Sequence, residues 1–103
     1  MAKVLAEIAV YPLGTESTSI SDFVAASDEI LQNFPNVRSQ INAMSTVLEG
    51  ELNQVLQVIE QMHEAPFRQG TQRVVTSIRI DDRRDKASSM ERMAQTAREK
   101  AHI

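Results

Sequence analysis

Segments that alternate in hydrophobicity every two residues flank two longer segments whose apolar residues recur every three or four positions. The first pattern is typical of a β-strand with one buried face, and the second of an amphipathic α-helix. Their order is strand, helix, strand, strand, helix, strand, followed by a weakly apolar helical segment. Because 103 residues provide one modest core, we expect a single α+β domain over residues 1–103.

The strand segments are marked by alternation and by the residues that end them. Residues 3–11 alternate apolar with small or polar residues, and Pro12 with Gly14 stops the pattern. Residues 72–80 alternate in the same way. Residues 37–49 form either a hairpin of two strands or one long bent strand, and we expect the hairpin.

Capping residues and helix breakers delimit the helices. Ser19 or Ser21 caps the first helix, which ends before Pro35. The second follows Gly50 and is limited by Pro66. Its apolar stripe consists of Leu52, Val55, Leu56, Ile59, Met62 and Phe67. A third, weakly apolar helix is predicted over residues 88–101.

This order predicts a ferredoxin-like βαββαβ sandwich with an additional C-terminal helix. Two strand–helix–strand units with right-handed crossovers give a four-stranded antiparallel sheet with both long helices on one face. We expect the first and third strands to be central and parallel, so that residues 12–19 and the Glu49–Gly50 pair share one edge. That edge is the predicted pocket.

The predicted open face of the sheet mixes apolar and charged residues. Leu5, Ala9 and Val75 lie there beside Glu7 and Arg79. An apolar face of this kind is a liability for a monomer, so we expect two or more copies to pack on it.

Charge and composition argue against several classes of partner. The net charge is −3 with both signs interleaved, which gives neither the basic stripe that binds nucleic acid nor a polybasic membrane signal. There is no cysteine. Glu7 interrupts the N-terminal apolar run too early for a signal peptide, and no run is long enough to span a membrane. We therefore expect a cytoplasmic protein that binds neither nucleic acid nor membranes.

Candidate catalytic or metal-binding groups do not assemble into a site. His102 is the penultimate residue, and His63 flanks the apolar stripe of the second helix without a second histidine at the spacing of a zincin motif. No acid–base pair is fixed by spacing, so we predict no enzymatic activity, no cofactor and no metal. Asp81–Lys86 is either a solvated charge cluster or an intersubunit salt-bridge network. The methionines, Met44 and Met62 among them, are interpreted as adaptable core residues.

Four segments, in order and with matching spacing, resemble the small thiamine-binding protein family, the YkoF-like group. They are Val-Tyr-Pro-Leu-Gly-Thr-Glu-Ser-Thr-Ser at 10–19, Met-Ser-Thr-Val-Leu-Glu-Gly at 44–50, Met-His-Glu at 62–64 and Arg-Val-Val-Thr-Ser-Ile-Arg-Ile-Asp-Asp-Arg-Arg-Asp at 73–85. The resemblance implies a ferredoxin-like subunit that forms a homotetramer, a dimer of dimers. It also implies binding of thiamine, or of its hydroxymethylpyrimidine half, without chemistry.

Carried over position by position, the resemblance implies six ligand-binding residues. They are Pro12, Thr18, Ser19, Met44, Thr46 and Glu49. A carboxylate accepts from the amino group of an aminopyrimidine, hydroxyls supply complementary hydrogen bonds, and Met44 or Tyr11 covers a ring face. The alternative function is a regulatory or structural protein-interaction module with no vitamin ligand.

Overall fold

Four strands and two helices make up the part of the chain that the computed structural model describes, residues 3–14, 20–42 and 44–85. In chain order they are β1 Lys3–Leu13, α1 Ile20–Leu31, β2 Arg38–Ile41, β3 Thr46–Glu51, α2 Leu52–Arg68 and β4 Arg73–Asp81. The predicted hairpin is confirmed as β2 and β3, closed by the Asn42 N–H donating to the Ser45 carbonyl over 2.8 Å. The predicted C-terminal helix lies outside the described residues.

The sheet has the strand order β2-β3-β1-β4 with every pair antiparallel, and this confirms the predicted ferredoxin-like fold. Each helix connects two strands that lie two places apart in the sheet, with an antiparallel strand between them. This is the split βαβ arrangement. Among the described residues no helix is long and apolar enough to cross a membrane.

The expectation that β1 and β3 run parallel is wrong. They are neighbours, but antiparallel, with Lys3 opposite Glu51 and Ile8 opposite Thr46. The connections require this, because the crossover through α1 returns β2 parallel to β1 and the hairpin then reverses the direction of β3. The carboxyl ends of β1 and β3 therefore lie at opposite ends of the sheet, and the helices that follow them start at opposite ends too.

One face of the sheet and the inner sides of both helices form the core. Its members are buried apolar residues from every element except β2 and β4: Val4, Ala6, Ile8, Ile30, Val37, Leu48, Val55, Val58, Ile59, Met62 and Ala65. The alternation in β1 placed its core residues correctly. Met62 is a core residue as predicted, whereas Met44 is 80% exposed at the hairpin turn, so its assignment to the core was wrong.

The open face of the sheet is less exposed than expected at its centre. Leu5 points to this face but is only 6% exposed, since it lies on a central strand between Glu49 of β3 and Asp81 of β4. Val75, near one edge, is 45% exposed. The apolar surface of this face therefore lies towards β4.

β1 is longer than the alternation indicated and contains Pro12. Its pairing with β3 stops at Ile8, whereas its pairing with β4 continues to Leu13. Residues 9–13 thus have a neighbouring strand on one side only among the described residues. Proline lacks the N–H that a strand flanked on both sides needs, so this half-open stretch is where β1 tolerates it.

We predict that Ser27→Ala stabilises the protein by about 1 kcal/mol. Ser27 is 1% exposed on α1, and its hydroxyl has no hydrogen-bond partner among the described residues. Removing a buried, unbonded hydroxyl removes its desolvation penalty, and alanine also has the better helix propensity. A urea titration measures the change. Ser27→Thr, which keeps the hydroxyl and adds a methyl group, should destabilise; destabilisation by alanine would contradict this account.

Candidate functional site

A cavity of about 440 Å³ opens where residues 9–13 of β1 extend past the end of β3. Its described lining comes from four places: β1, the start of α1, the hairpin turn and the end of α2. The lining residues are Ile8, Ala9, Val10, Tyr11, Pro12, Leu13, Phe23, Val24, Ala26, Ile41, Asn42, Met44, Ser45, Thr46, Ala65, Pro66 and Gln69. We call this the β1 notch.

The notch results from unequal strand lengths. β3 begins only at Thr46, opposite Ile8, so the sheet has a step on the hairpin side of β1. The turn that carries Met44 lies at one side of this step, and the first turn of α1, with Phe23 and Val24, lies at another. The sheet and both helices therefore contribute walls.

The walls are mainly apolar, with a few polar groups. Phe23, Val24 and Pro66 supply carbon surface, while Thr46 and Asn42 bring a hydroxyl and an amide. Thr46 is only 3% exposed, so its side chain lies deep. Peptide groups of an antiparallel strand point alternately to its two sides, so the unpaired edge of residues 9–13 directs backbone donors or acceptors towards the step. Apolar walls with a few converging polar groups are typical of small-molecule sites.

The structure brings together three of the six predicted ligand-binding residues. Pro12, Met44 and Thr46 all line the β1 notch. Thr18 and Ser19 lie outside the described residues. The first loop and the start of β3 are therefore related in space, although not for the reason expected: they meet at the amino end of β3, whereas the prediction placed them at its carboxyl end.

Glu49 lies elsewhere in the subunit. It is three residues beyond Thr46 on β3, roughly 10 Å along the strand, and faces the open side of the sheet opposite Leu5. It is 4% exposed, and its Oε2 lies 3.4 Å from Nη1 of Arg38 on β2. Within one subunit Glu49 does not line the notch.

Sequence reasoning missed the helical walls of the notch. Phe23 and Val24 were interpreted as core residues, because an apolar stripe on a helix does not distinguish a packed neighbour from an empty space. Both are only partly buried. The early end of β3 has no separate signal in the alternation of residues 42–49.

The charged segment after β4 forms local ion pairs. Arg83 contacts Asp85 at 2.7 Å, and Arg84 contacts Asp82 at 2.8 Å. The hydrogen bond from Arg84 holds the pKa of the Asp82 carboxyl below its ordinary value. The segment follows Asp81, which is opposite Leu5, so it lies at the end of the sheet away from Pro12.

His63 has a structural environment. Its Nδ1 lies 2.7 Å from Oγ1 of Thr76 on β4, and its ring meets that of Phe67 edge-on with centroids 5.6 Å apart. These contacts join α2 to β4. Within residues 3–14, 20–42 and 44–85, no three histidine or acidic side chains cluster as a metal site would require.

Proteins of similar sequence and structure come from bacteria and archaea. The UPF0045 protein YqgV of Bacillus subtilis is 43% identical over 90 residues, which span 84% of this chain and 86% of the relative. The crystal structure of a hypothetical protein from Methanocaldococcus jannaschii matches with a TM-score of 0.77 at 35% identity, over 94% of this chain and 97% of that one.

A more distant structure has the same fold. It is a protein of Thermotoga maritima for which a role in thiamine biosynthesis or salvage has been suggested, with a TM-score of 0.69 at 18% identity over 92% of this chain and 98% of that one. The model of the family described as "Thiamine-binding protein" matches residues 6–98. The resemblance seen in the four sequence segments is thereby confirmed, and the chain belongs to the thiamine-binding protein family.

Proposed function

We propose that this protein binds thiamine, or its hydroxymethylpyrimidine moiety, in the β1 notch and performs no chemistry on it. The observation that carries the proposal is the cavity itself, in which Pro12, Met44 and Thr46 come together beside an unpaired strand edge. Membership of a family of binding proteins supports the ligand class. The role suggested for the Thermotoga maritima structure agrees with it.

The chemistry of the ligand suits the walls of the notch. An aminopyrimidine has a flat ring, an amino donor and ring-nitrogen acceptors. Phe23 and Met44 offer apolar surface for the ring faces, while the Thr46 hydroxyl and the peptide groups of residues 9–13 match a donor–acceptor edge. The volume of about 440 Å³ lies within the range of about 300–1,000 Å³ found for small-molecule pockets.

The thiazolium half of thiamine is a fixed cation. A net charge of −3 favours its approach, although a charge this small adds little to affinity. The pyrimidine ring fits the deep, apolar part of the notch near Thr46, which leaves the thiazolium towards solvent. In this orientation the pyrimidine half provides most of the recognition, and so the precursor alone is a ligand.

The proposal includes self-association in the cytoplasm as a homotetramer. The open face of the sheet, with Val75 45% and Tyr11 46% exposed, supports contact between copies. Thr18, Ser19 and Glu49 remain predicted ligand-binding residues. Glu49 would reach a ligand only where a neighbouring copy brings it close, because it faces away from the notch of its own subunit.

We predict that thiamine and hydroxymethylpyrimidine each raise the thermal midpoint of unfolding. A ligand that binds only the folded state, present at about 100 times its Kd, adds about 2.7 kcal/mol to the free energy of unfolding. Differential scanning fluorimetry detects the shift, and titration calorimetry gives the affinity. No shift and no heat with either compound at millimolar concentration would favour the protein-interaction function instead.

Thr46→Val tests the position of the ligand. Valine keeps the shape of threonine and removes its hydroxyl, so the loss of one hydrogen bond should weaken binding about tenfold. Thr71→Val is the matched control, because Thr71 is another buried threonine, 4% exposed, that does not line the notch. Equal affinities for the two variants would exclude the Thr46 end of the notch from the site.

Glu49→Gln tests whether the site is contained in one subunit. Because Glu49 faces the opposite side of the sheet, we expect the affinity for hydroxymethylpyrimidine to stay within twofold of the wild-type value. Calorimetry at a fixed protein concentration measures this. A tenfold loss with an unchanged oligomer mass would mean that Glu49 of a neighbouring copy contacts the ligand.

A further inference from the structure

The outer edge of β4 is long, open and poorly protected. β4 runs from Arg73 to Asp81, pairs with β1 on one side, and has no described strand on the other. The opposite edge of the sheet, β2, has only four residues, and short edge strands are a common protection against unwanted pairing. β4 contains no proline or lysine. Its edge can therefore accept another strand.

The helix-facing side of β4 is apolar and half covered. Thr76 is held against α2 by His63, but Ile78 and Ile80 beyond it are 46% and 40% exposed. On α2, Leu56 is 45% exposed and Phe67 38%. Four partly exposed apolar side chains thus accompany the open edge, where a solitary subunit would be expected to place charges.

The charges along β4 select both a partner and a register. If a second β4 pairs antiparallel about a two-fold axis through Ser77, Arg73 of each copy lies opposite Asp81 of the other. An axis through Thr76 would instead place Arg73 opposite Arg79, and an axis through Ile78 would place Asp81 opposite Val75. Opposite charges in directly facing positions stabilise a strand pair, and like charges destabilise it. Only the Ser77 axis, of these three, makes the edge complementary to itself.

The same register covers the exposed apolar residues. Ile80 lies opposite Val74 of the other copy, and Ile78 lies opposite Thr76. Because α2 runs antiparallel to β4 and contacts it at His63 and Thr76, Phe67 lies one turn further, near the level of Val74. The open half of each β4 therefore meets the half of its partner that carries Phe67.

We infer that two copies of this chain join through their β4 edges, about a two-fold axis at Ser77, into one continuous eight-stranded sheet. This contact is distinct from packing through the open face, and it leaves both β1 notches accessible at positions away from the axis. It is independent of the proposed ligand.

Single cysteines test the axis directly, since the chain contains none of its own. In a strand pair, directly opposite residues have Cα atoms about 4.5–5.5 Å apart, which is within disulfide range. Ser77→Cys should therefore form a disulfide-linked dimer with diamide, seen on a non-reducing gel. Val75→Cys and Arg79→Cys should not form it alone, because each lies roughly 14 Å from its own copy, but a mixture of the two should.

Charge reversal tests the same register without a covalent bond. Arg73→Asp and Asp81→Arg each place like charges at both ends of the strand pair and should raise the dimer Kd about tenfold in sedimentation analysis. The double variant restores opposite charges and should recover wild-type association. Equal cross-linking at residues 75, 77 and 79, absence of cross-linking at 77, or a double variant weaker than both single ones would each overturn the inference.

Discussion

The antiparallel pairing of β1 with β3 controls most of what this domain presents to its surroundings. The ladder runs from Lys3 and Glu51 to Ile8 and Thr46 and then stops, although β1 continues for a further five residues beside β4. This early end creates the step in the sheet, and the step becomes a cavity because α1 and the hairpin turn lie around it. The direction of the pairing sends the side chain of Glu49 to the opposite end and face.

Periodicity predicted the order of elements well because each strand or helix buries one face. The alternation in β1 and the stripe of α2 placed core residues such as Ile8 and Met62 correctly. Periodicity does not contain strand direction, and the expected parallel pair of β1 and β3 was wrong for that reason. The connections did contain the direction: a crossover followed by a hairpin leaves β1 and β3 antiparallel.

The candidate site was predictable only in part. Pro12, Met44 and Thr46 came from the family resemblance, and the structure shows that they share one cavity. Phe23 and Val24 resembled core residues in the sequence, because an apolar side chain is chosen by its hydrophobicity whether it faces a neighbour or a ligand. Hydrophobic patterning says little about where a ladder ends. The depth of Thr46 therefore required the register of β3 against β1.

The open edge of β4 has a consequence for the life of the chain before it assembles. A newly made subunit leaves the ribosome with a nine-residue strand that can template any extended polypeptide nearby. The hazard grows with the time that a subunit spends alone, and so with dilution and with slow synthesis. Quality control of this protein thus depends on how quickly each subunit meets another, and less on how quickly it folds.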